Sequence, residues 1–269
     1  MKSSFFFSTL TFVGLLMLVA CGDQNPSELQ AYHVSCPDSV YVYHLQQDGT
    51  EYLCKKTFYA YDANGLVLSE ITYAAYDEAQ MRPSSKIEYS YDSHHNIQRI
   101  LEYLYNEEKQ EWYVLQQRVY TYDADKLATV LLYAELIADL DGPLYKKGIL
   151  SWSDDTHAEM LVYRNLVNNS DSEQWMLCEK SETVYNTRGK LENEKYYFDY
   201  KQDSTYTSMM ETKYTYDHYG NMSSCQRLDN TIVGKEETYT YSYDDEGNIQ
   251  VKWTTSNLQH RNTKSIYYY

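Results

Sequence analysis

The feature that most constrains the fold of this chain is a four-residue phrase, Tyr-x-Tyr-Asp, that recurs at a nearly constant interval. Five complete copies place their second tyrosine at positions 61, 91, 122, 216 and 243, and two degenerate copies place Trp152 and Tyr185 between them. The steps between the seven markers are 30, 31, 30, 33, 31 and 27 residues. A fixed period of this length indicates a repeat architecture in which each repeat is one supersecondary unit.

Each repeat has the pattern of two strands joined by a tight turn. Four of the seven repeats have glycine four residues after the marker, and all seven have an apolar residue six residues after it. Asp followed by Gly is typical of turns, because the Asp side chain can bond the backbone ahead and glycine accepts a positive φ. Within the arms, apolar and polar residues alternate, as Ile87 and Tyr89 do with Glu88, which indicates strands.

The expected fold is therefore all-β: an extended, twisted or curled antiparallel β-meander of about seven hairpin repeats with a period near 30 residues. An N-terminal hairpin at residues 40–43 and 52–54 brings the total to about sixteen strands. An outer-membrane barrel is the less favoured alternative, since it needs a continuous lipid-facing apolar band. The arms carry Glu, Lys, Gln and Ser too often for such a band, and the mean hydropathy is −0.66.

The first twenty residues have the pattern of a lipoprotein signal peptide. Lys2 precedes an apolar run over residues 5–19, and Ala20 precedes Cys21. Such a run is short for a membrane-spanning helix and is typical of a cleaved signal. A cysteine at this boundary resembles the bacterial lipobox, which implies a diacylated Cys21 as the new N-terminus. An ordinary secretory signal with an incidental cysteine is the alternative.

The expected organisation is a signal peptide at 1–20, a tether at 21–37 and a β-repeat domain at 38–269. Gly22 after the cysteine favours the outer membrane in the best-known sorting rule. The formal net charge of −16 argues against nucleic acid and against an electrostatic grip on anionic headgroups. The expected contact with the membrane is the lipid anchor on Cys21, with the body of the protein in water.

The phrase Tyr-x-Tyr-Asp-x-x-Gly-Asn, plainest at residues 214–221 and 241–248, resembles the YD-repeat, or RHS-like, proteins. Over about residues 55–269 the chain is most similar to the short YD-repeat lipoproteins of Gram-negative bacteria. The resemblance implies a β-repeat architecture and a link to carbohydrate binding. About seven repeats are too few to enclose a toxin domain, so the toxin-shell role of the large RHS proteins does not carry over.

Motifs for catalysis or cofactors are not found in the sequence. It has no GxSxG, no HExxH and no glycine-rich phosphate loop. Calcium is considered at residues 139–142 and 244–248, where Asp side chains lie near a glycine. The turn already explains those residues, and neither segment continues to the distal Glu of an EF-hand. The prediction is therefore no cofactor, no metal and no enzymatic activity.

Four cysteines remain after Cys21. Cys178 and Cys225 would lie about three strands apart, roughly 14 Å, which is too far for a disulfide. Cys36 and Cys54 flank the first hairpin, and whether they form a disulfide is left open.

The sequence favours a non-enzymatic binding or scaffold lipoprotein whose partner is a glycan or another envelope protein. The candidate ligand-binding residues are Tyr59, Tyr61, Tyr89, Tyr91, Tyr120, Tyr122, Tyr214, Tyr216, Tyr241 and Tyr243. Cross-strand aromatic pairs also stabilise a sheet by about 0.2–1 kcal/mol each, so a purely structural spacer is another possibility. The further alternative is a hydrolase, or a hydrolase accessory protein, with carboxylates in an irregular loop such as residues 135–146.

Overall fold

The computed structural model describes residues 36–77, 80–123, 126–134, 144–165, 174–258 and 262–269. The expected signal peptide and Cys21 lie outside these residues, as does the tether up to residue 35. In the described part, no helix is long and apolar enough to cross a membrane.

The described residues form sixteen strands. They are β1 (Ser39–Leu45), β2 (Glu51–Tyr61), β3 (Val67–Asp77), β4 (Gln80–Tyr91), β5 (Ile97–Asn106), β6 (Glu111–Asp123), β7 (Lys126–Ala134), β8 (Leu144–Trp152), β9 (His157–Asn165), β10 (Trp175–Tyr185), β11 (Leu191–Phe198), β12 (Ser208–Tyr216), β13 (Met222–Asp229), β14 (Ile232–Tyr243), β15 (Ile249–Ser256) and β16 (Thr263–Tyr268).

The sheet closes on itself. Every strand pairs antiparallel with its neighbours in sequence, and β1 also pairs with β16, from Ser39 opposite Tyr268 to His44 opposite Thr263. The chain is all-β, but the predicted extended or curled meander of seven hairpins is wrong, because the two edge strands bond each other in a closed barrel. The YD-repeat, or RHS-like, identification is wrong as well, since a closed ring has no free edge to which further repeats could be added.

The turns form as the Asp and Gly pattern predicts. In the β2–β3 turn, the amide of Gly65 donates to the carbonyl of Asp62 at 3.1 Å, and Gly65 has a φ of 83°. The Asp62 carboxylate accepts from the amides of Asn64 and Leu66, both at 2.8 Å. A bulge follows each such turn, as at Leu68, which is left without a partner between the paired residues of β2 and β3. This is the hairpin with a type I turn and a left-handed glycine.

The two faces of the sheet differ in burial. Following the register around the ring, nearly all buried strand residues fall on one face, for example Tyr89, Ile100, Tyr120 and Val130, which pack into one cluster. This face is the inside of the barrel. We call the end that carries the Asp turns and residues 36 and 269 the turn end, and the opposite end the loop end.

The barrel has no solid core in its described part. Ile100 and Val162 are its only large side chains with less than 2% of their surface exposed. Side-chain hydrogen bonds between described strands join strands that are neighbours or next neighbours, as between Lys146 on β8 and Glu179 on β10. Sixteen strands are also more than inward side chains can fill in a rounded barrel. A rounded barrel with this number of strands would leave space between its inner walls.

The outer face mixes apolar and charged side chains. Lys86, Glu88, Lys180 and Glu182 lie on this face of β4 and β10 and form the ion pairs Lys86–Glu88 and Lys180–Glu182. A charged residue facing lipid near the bilayer midplane costs about 2–4 kcal/mol. The sequence analysis disfavoured a barrel because of such charges, and the closed ring of strands shows that a barrel forms despite them.

The cysteines that the structure describes are all free. Cys36 lies at the turn end, where its sulfur is 3.9 Å from the carbonyl of Gly65. Cys54 lies beside Val42 near the other end of β1, at 3.2 Å from its carbonyl. Six residues of extended chain separate positions 36 and 42, about 20 Å, so these cysteines are too far apart to bridge.

Candidate functional site

The structure brings the ten predicted tyrosines together on the inner face. They form two layers next to the turn end, which we call the tyrosine collar. The outer layer holds the markers Tyr61, Tyr91, Tyr122, Trp152, Tyr185, Tyr216 and Tyr243, and the inner layer holds Tyr59, Tyr89, Tyr120, Tyr214 and Tyr241. Their role in ligand binding stays a prediction.

Five of the seven outer-layer residues tie their hairpin to the one before it. The hydroxyl of Tyr91 on β4 donates to the carbonyl of Val67 at the start of β3, at 2.8 Å. The same bond is made by Tyr61 to Pro37, by Tyr122 to Ile97 and by Tyr216 to Leu191. The indole of Trp152 donates to the carbonyl of Leu127 at 3.0 Å, so the degenerate copy plays the same part. The repetition of the motif thus has a structural cause.

Tyr89, Tyr120 and Tyr214 of the inner layer are buried, and their raised pKa values keep their hydroxyls protonated. Tyr89 donates to the Glu70 carboxylate at 2.5 Å, and burial together with this carboxylate raises the pKa of Tyr89. Burial also raises the pKa of Tyr122 in the outer layer to about 12. At physiological pH these hydroxyls are therefore neutral.

Neighbouring rings of the collar lie nearly parallel. Tyr59 and Tyr61 have ring centroids 6.3 Å apart and planes 25° apart. Trp152 and Tyr185 are 5.8 Å and 23° apart. The two rings of each pair therefore share a common orientation.

A charged cluster on β8, β10 and β11 lies farther from the turn end. The Lys146 ammonium is 2.6 Å from one oxygen of Glu179, and the Tyr196 hydroxyl donates to the other. All three side chains are buried. Burial and the Glu179 carboxylate raise the pKa of Tyr196. Both carboxylate oxygens of Glu179 therefore have a partner, and the cluster lies on the inner face of the barrel.

A second charged cluster lies on β5 and β6. Arg118 forms an ion pair with Glu102, whose other oxygen accepts from the amide of Gln116 at 2.7 Å. Within the described residues, Nε and Nη1 of Arg118 and the hydroxyl of Tyr120 are buried without a hydrogen-bond partner. Burial lowers the pKa of Arg118. These groups are hydrogen-bond donors without a described partner, and they lie at or next to the collar.

Glu194 is a buried carboxyl that the sequence did not single out. It lies on β11 between Thr183 of β10 and Thr212 of β12, and only 3% of its surface is exposed. Burial raises its pKa to about 8. Its Oε2 has no hydrogen-bond partner among the described residues. No motif marks Glu194, and only its inward position in an alternating strand could have drawn attention to it.

In the β14–β15 turn, where calcium was considered, the carboxylate oxygens of Asp244 already accept hydrogen bonds. Oδ1 of Asp244 accepts from the amides of Glu246 and Asn248, at 3.0 and 2.8 Å, and Oδ2 accepts from the side-chain amide of Asn248 at 3.1 Å. In the described ranges, no group of three or more His, Cys, Asp or Glu side chains is placed to hold a metal. Residues 139–142, and most of the loop proposed for a hydrolytic site, lie outside the described residues.

Comparison with known proteins identifies no family. No protein-family model matches the sequence, and no curated protein matches it. Among solved structures, a porin-like protein from Bacteroides vulgatus matches with 10% identity and a TM-score of 0.39, over 85% of this chain and 97% of that one. A porin-like protein from Bacteroides uniformis matches with 10% identity and a TM-score of 0.27, over 87% and 97%. A DUF3836 family protein from Bacteroides vulgatus matches with 15% identity and a TM-score of 0.25, over 46% and 89%. These TM-scores are too low to establish a family or a function for this chain.

Proposed function

We propose that this chain is a lipid-anchored, non-enzymatic binding protein of the outer envelope, and that its barrel takes a carbohydrate in the lumen at the tyrosine collar. The observation that carries the proposal is the collar itself: aromatic rings gathered on the inner face of the barrel, two pairs of them nearly parallel, beside hydrogen-bonding groups. Attachment through Cys21 comes from the sequence, and a role as a scaffold for another envelope protein is the second possibility.

The chemistry of the inner face suits a neutral sugar. Aromatic rings stack on the apolar faces of pyranose rings, while hydroxyl groups need both donors and acceptors. The inner face supplies donors from Lys146 and Lys252 and acceptors from Glu102 and Glu237. An anionic polysaccharide is disfavoured by the net charge of −16.

The proposal does not include hydrolysis. Glu179 is engaged by Lys146 and Tyr196, and Glu102 by Arg118 and Gln116. Glycoside hydrolysis needs a pair of carboxyl groups on either side of one bond. These two carboxylates are instead each neutralised on the wall by their own basic partner.

The test is a glycan-array screen, followed by calorimetry, with soluble protein that begins after Cys21. Tyr59→Leu with Tyr241→Leu keeps an apolar side chain at each position but removes the stacking faces, so we expect binding to be lost. Tyr59→Phe with Tyr241→Phe is the matched control, because it keeps the faces and removes only the hydroxyls. Both variants are compared in circular dichroism and thermal melts with the natural protein.

Three results would refute parts of the proposal. If no glycan binds, the carbohydrate function is refuted, and a role as a scaffold for another envelope protein becomes the favoured hypothesis. Equal binding by the Leu and Phe variants would place the site away from the collar. Release of shortened oligosaccharides on incubation would show an enzyme and favour the hydrolase.

A further inference from the structure

The outer face of the barrel carries apolar side chains in more than one sector, and the sector in which the chain ends meet is rich in aromatic rings. We call the outward side chains of β15, β16, β1, β2 and β3 the seam sector, because the chain ends meet in its middle. Its main side chains are Trp253, Ile266, Tyr268, Tyr41, Phe58 and Tyr73. Phe58 and Tyr268 are 41% and 44% exposed, which is high for large side chains in a sheet.

The charges of the seam sector also differ from those of the rest of the chain. Apart from Glu51 at the loop end, which pairs with Lys264 at 3.1 Å, the outward strand side chains described in this sector include no acid. Lys56 lies in its centre with its ammonium 4.6 Å from the ring centre of Tyr41. The outer faces of β4 and β10 carry Glu88 and Glu182 in comparable positions. The chain has a net charge of −16, whereas this sector has one described acid, Glu51 at its loop end, and Lys56 at its centre.

The tether leaves the barrel from the middle of this sector. Ser39 begins β1 and lies directly opposite Phe58 on one side and Tyr268 on the other. Seventeen residues separate Cys21 from Ser39, and a chain of that length spans at most about 60 Å. If Cys21 carries lipid, the two exposed aromatic residues are therefore held within that distance of the bilayer.

The rings of the seam sector are not arranged for sugars. Tyr41 and Phe58 meet at 72° with centroids 6.2 Å apart, and Phe58 and Tyr73 meet at 90° with centroids 5.8 Å apart. Such edge-to-face packing offers no common flat surface, in contrast to the collar. A bilayer interface needs no flat surface: it accepts Trp and Tyr at the headgroup level, apolar rings below it, and Lys beside phosphate.

From these observations we propose that the seam sector is a membrane-docking surface, on which the anchored barrel lies against the phospholipid headgroups. The proposal rests on the lipid anchor of the proposed function. The anchor supplies the high local concentration that lets a small surface bind, and the seam sector fixes which side of the barrel faces the lipid. The lumen then lies along the membrane surface with both ends open to solvent.

The test uses the acylated full chain in vesicles of phosphatidylethanolamine and phosphatidylglycerol, with or without brominated acyl chains, which quench nearby tryptophan. We expect brominated vesicles to quench part of the tryptophan fluorescence of the protein. Trp253→Phe should abolish this part, whereas Trp112→Phe, on β6 away from the seam, should leave it. Phe58→Ser with Tyr268→Ser should weaken the quenching of Trp253, and Ile149→Ser, which changes an exposed residue of β8, should not.

Flotation with the vesicles separates failure of the anchor from failure of the docking. If the natural chain does not float and Cys21→Ser behaves identically, the anchor is wrong. If the chain floats but Trp253 is not quenched, the barrel stands off the membrane and the docking proposal is overturned. A lipid-free dimer that Phe58→Ser dissociates in sedimentation velocity would also overturn it, because the sector would then be covered by a second copy.

Discussion

The hydroxyl of Tyr269 donates a hydrogen bond to the backbone carbonyl of Ile249 at 3.0 Å, the same bond that Tyr91 makes to Val67 at 2.8 Å. Tyr269 lies 26 residues after the marker Tyr243, and Tyr267 precedes it by two. The chain therefore ends on an eighth copy of the Tyr-x-Tyr motif, in which β16 is the outgoing arm.

The return arm of this eighth repeat is β1, at the other end of the chain. In the seventh repeat, Tyr243 pairs with Ile249 and Ser242 pairs with Val251, two residues farther on. At the seam, Tyr268 pairs with Ser39, two residues beyond Pro37. Pro37 thus takes the place of Ile249, and its carbonyl accepts the hydroxyl of Tyr61 as the repeat requires. Eight hairpins, one of them divided between the chain ends, close the barrel.

Removing one hydroxyl from the collar tests whether this ring of hydrogen bonds stabilises the barrel. Tyr91→Phe keeps the ring but loses the bond to Val67, and we expect the free energy of unfolding to fall by about 1 kcal/mol. Urea unfolding followed by circular dichroism measures it. Tyr113→Phe, at a residue 36% exposed, is the control and should stay within about 0.5 kcal/mol of the natural protein. Equal stability of Tyr91→Phe and the natural protein would contradict a structural role for the bond.

The local parts of this fold could be predicted from the sequence. Turn chemistry and two-residue alternation act within a few neighbours, so the position of Asp62, the glycine at 65 and the number of strands follow from the pattern. The closure could not be predicted in the same way, because the pairing of Ser39 with Tyr268 depends on the summed twist and register of sixteen strands. The tyrosines at 267 and 269 were the available signal for it.

The candidate site was predicted only in part. The spacing of the tyrosines places them on one face of the sheet, but it cannot tell whether that face is inside or outside. Lys146 and Glu179 are 33 residues apart and come together across β9 through register alone. The sequence contains no motif for such a pair, nor for the burial of Glu194.

Breaking the ion pair between Lys146 and Glu179 should be costly. Lys146→Met leaves the Glu179 carboxylate buried without its cation, and we expect a loss of about 3–5 kcal/mol in the free energy of unfolding. Adding Glu179→Gln removes the stranded charge and keeps an acceptor for Tyr196, so most of the loss should be recovered. Denaturant unfolding of the two variants measures both effects.

The control for this pair is Lys109→Met. It breaks an exposed pair with Glu111 at 3.7 Å, in which the side chains are 69% and 59% exposed, and should change stability by no more than about 0.5 kcal/mol. A double variant no more stable than Lys146→Met alone would mean that packing around Lys146, and not charge, accounts for the loss.

The carboxyl of Glu194 should make the barrel less stable as the pH rises. Burial raises its folded pKa to about 8 from a value of 4.5, so between these values the folded state holds a proton that the unfolded state has lost. Stability then falls with increasing pH across this window, by up to about 1.4 kcal/mol per unit. Glu194→Gln cannot ionise, so its advantage over the natural protein should grow from about pH 5 towards pH 8.

Unfolding by urea across this pH window measures the slope for each protein. Glu108→Gln, on the exposed β5–β6 turn, is the control and should keep the slope of the natural protein. Parallel curves for Glu194→Gln and the natural protein would show that the Glu194 carboxyl is not buried as described.

If the eighth repeat is divided between the chain ends, joining them should give a barrel with eight complete hairpins. In the permuted chain, Tyr269 is followed by the five turn residues found at 244–248 and then by Pro37, and new ends are opened in the β5–β6 turn at residues 107–110. The Asp turn fits because Tyr268 and Ser39 already have the register that such a turn produces between Ser242 and Val251. We expect the same β-sheet circular dichroism spectrum and a melting temperature close to that of a chain of residues 36–269.

A second permuted chain, opened between Lys180 and Ser181 within β10, interrupts a strand that pairs on both sides and should lose the cooperative transition. Unfolding of the first chain, or equal stability of the two, would mean that the seam between β1 and β16 is not equivalent to the other hairpins.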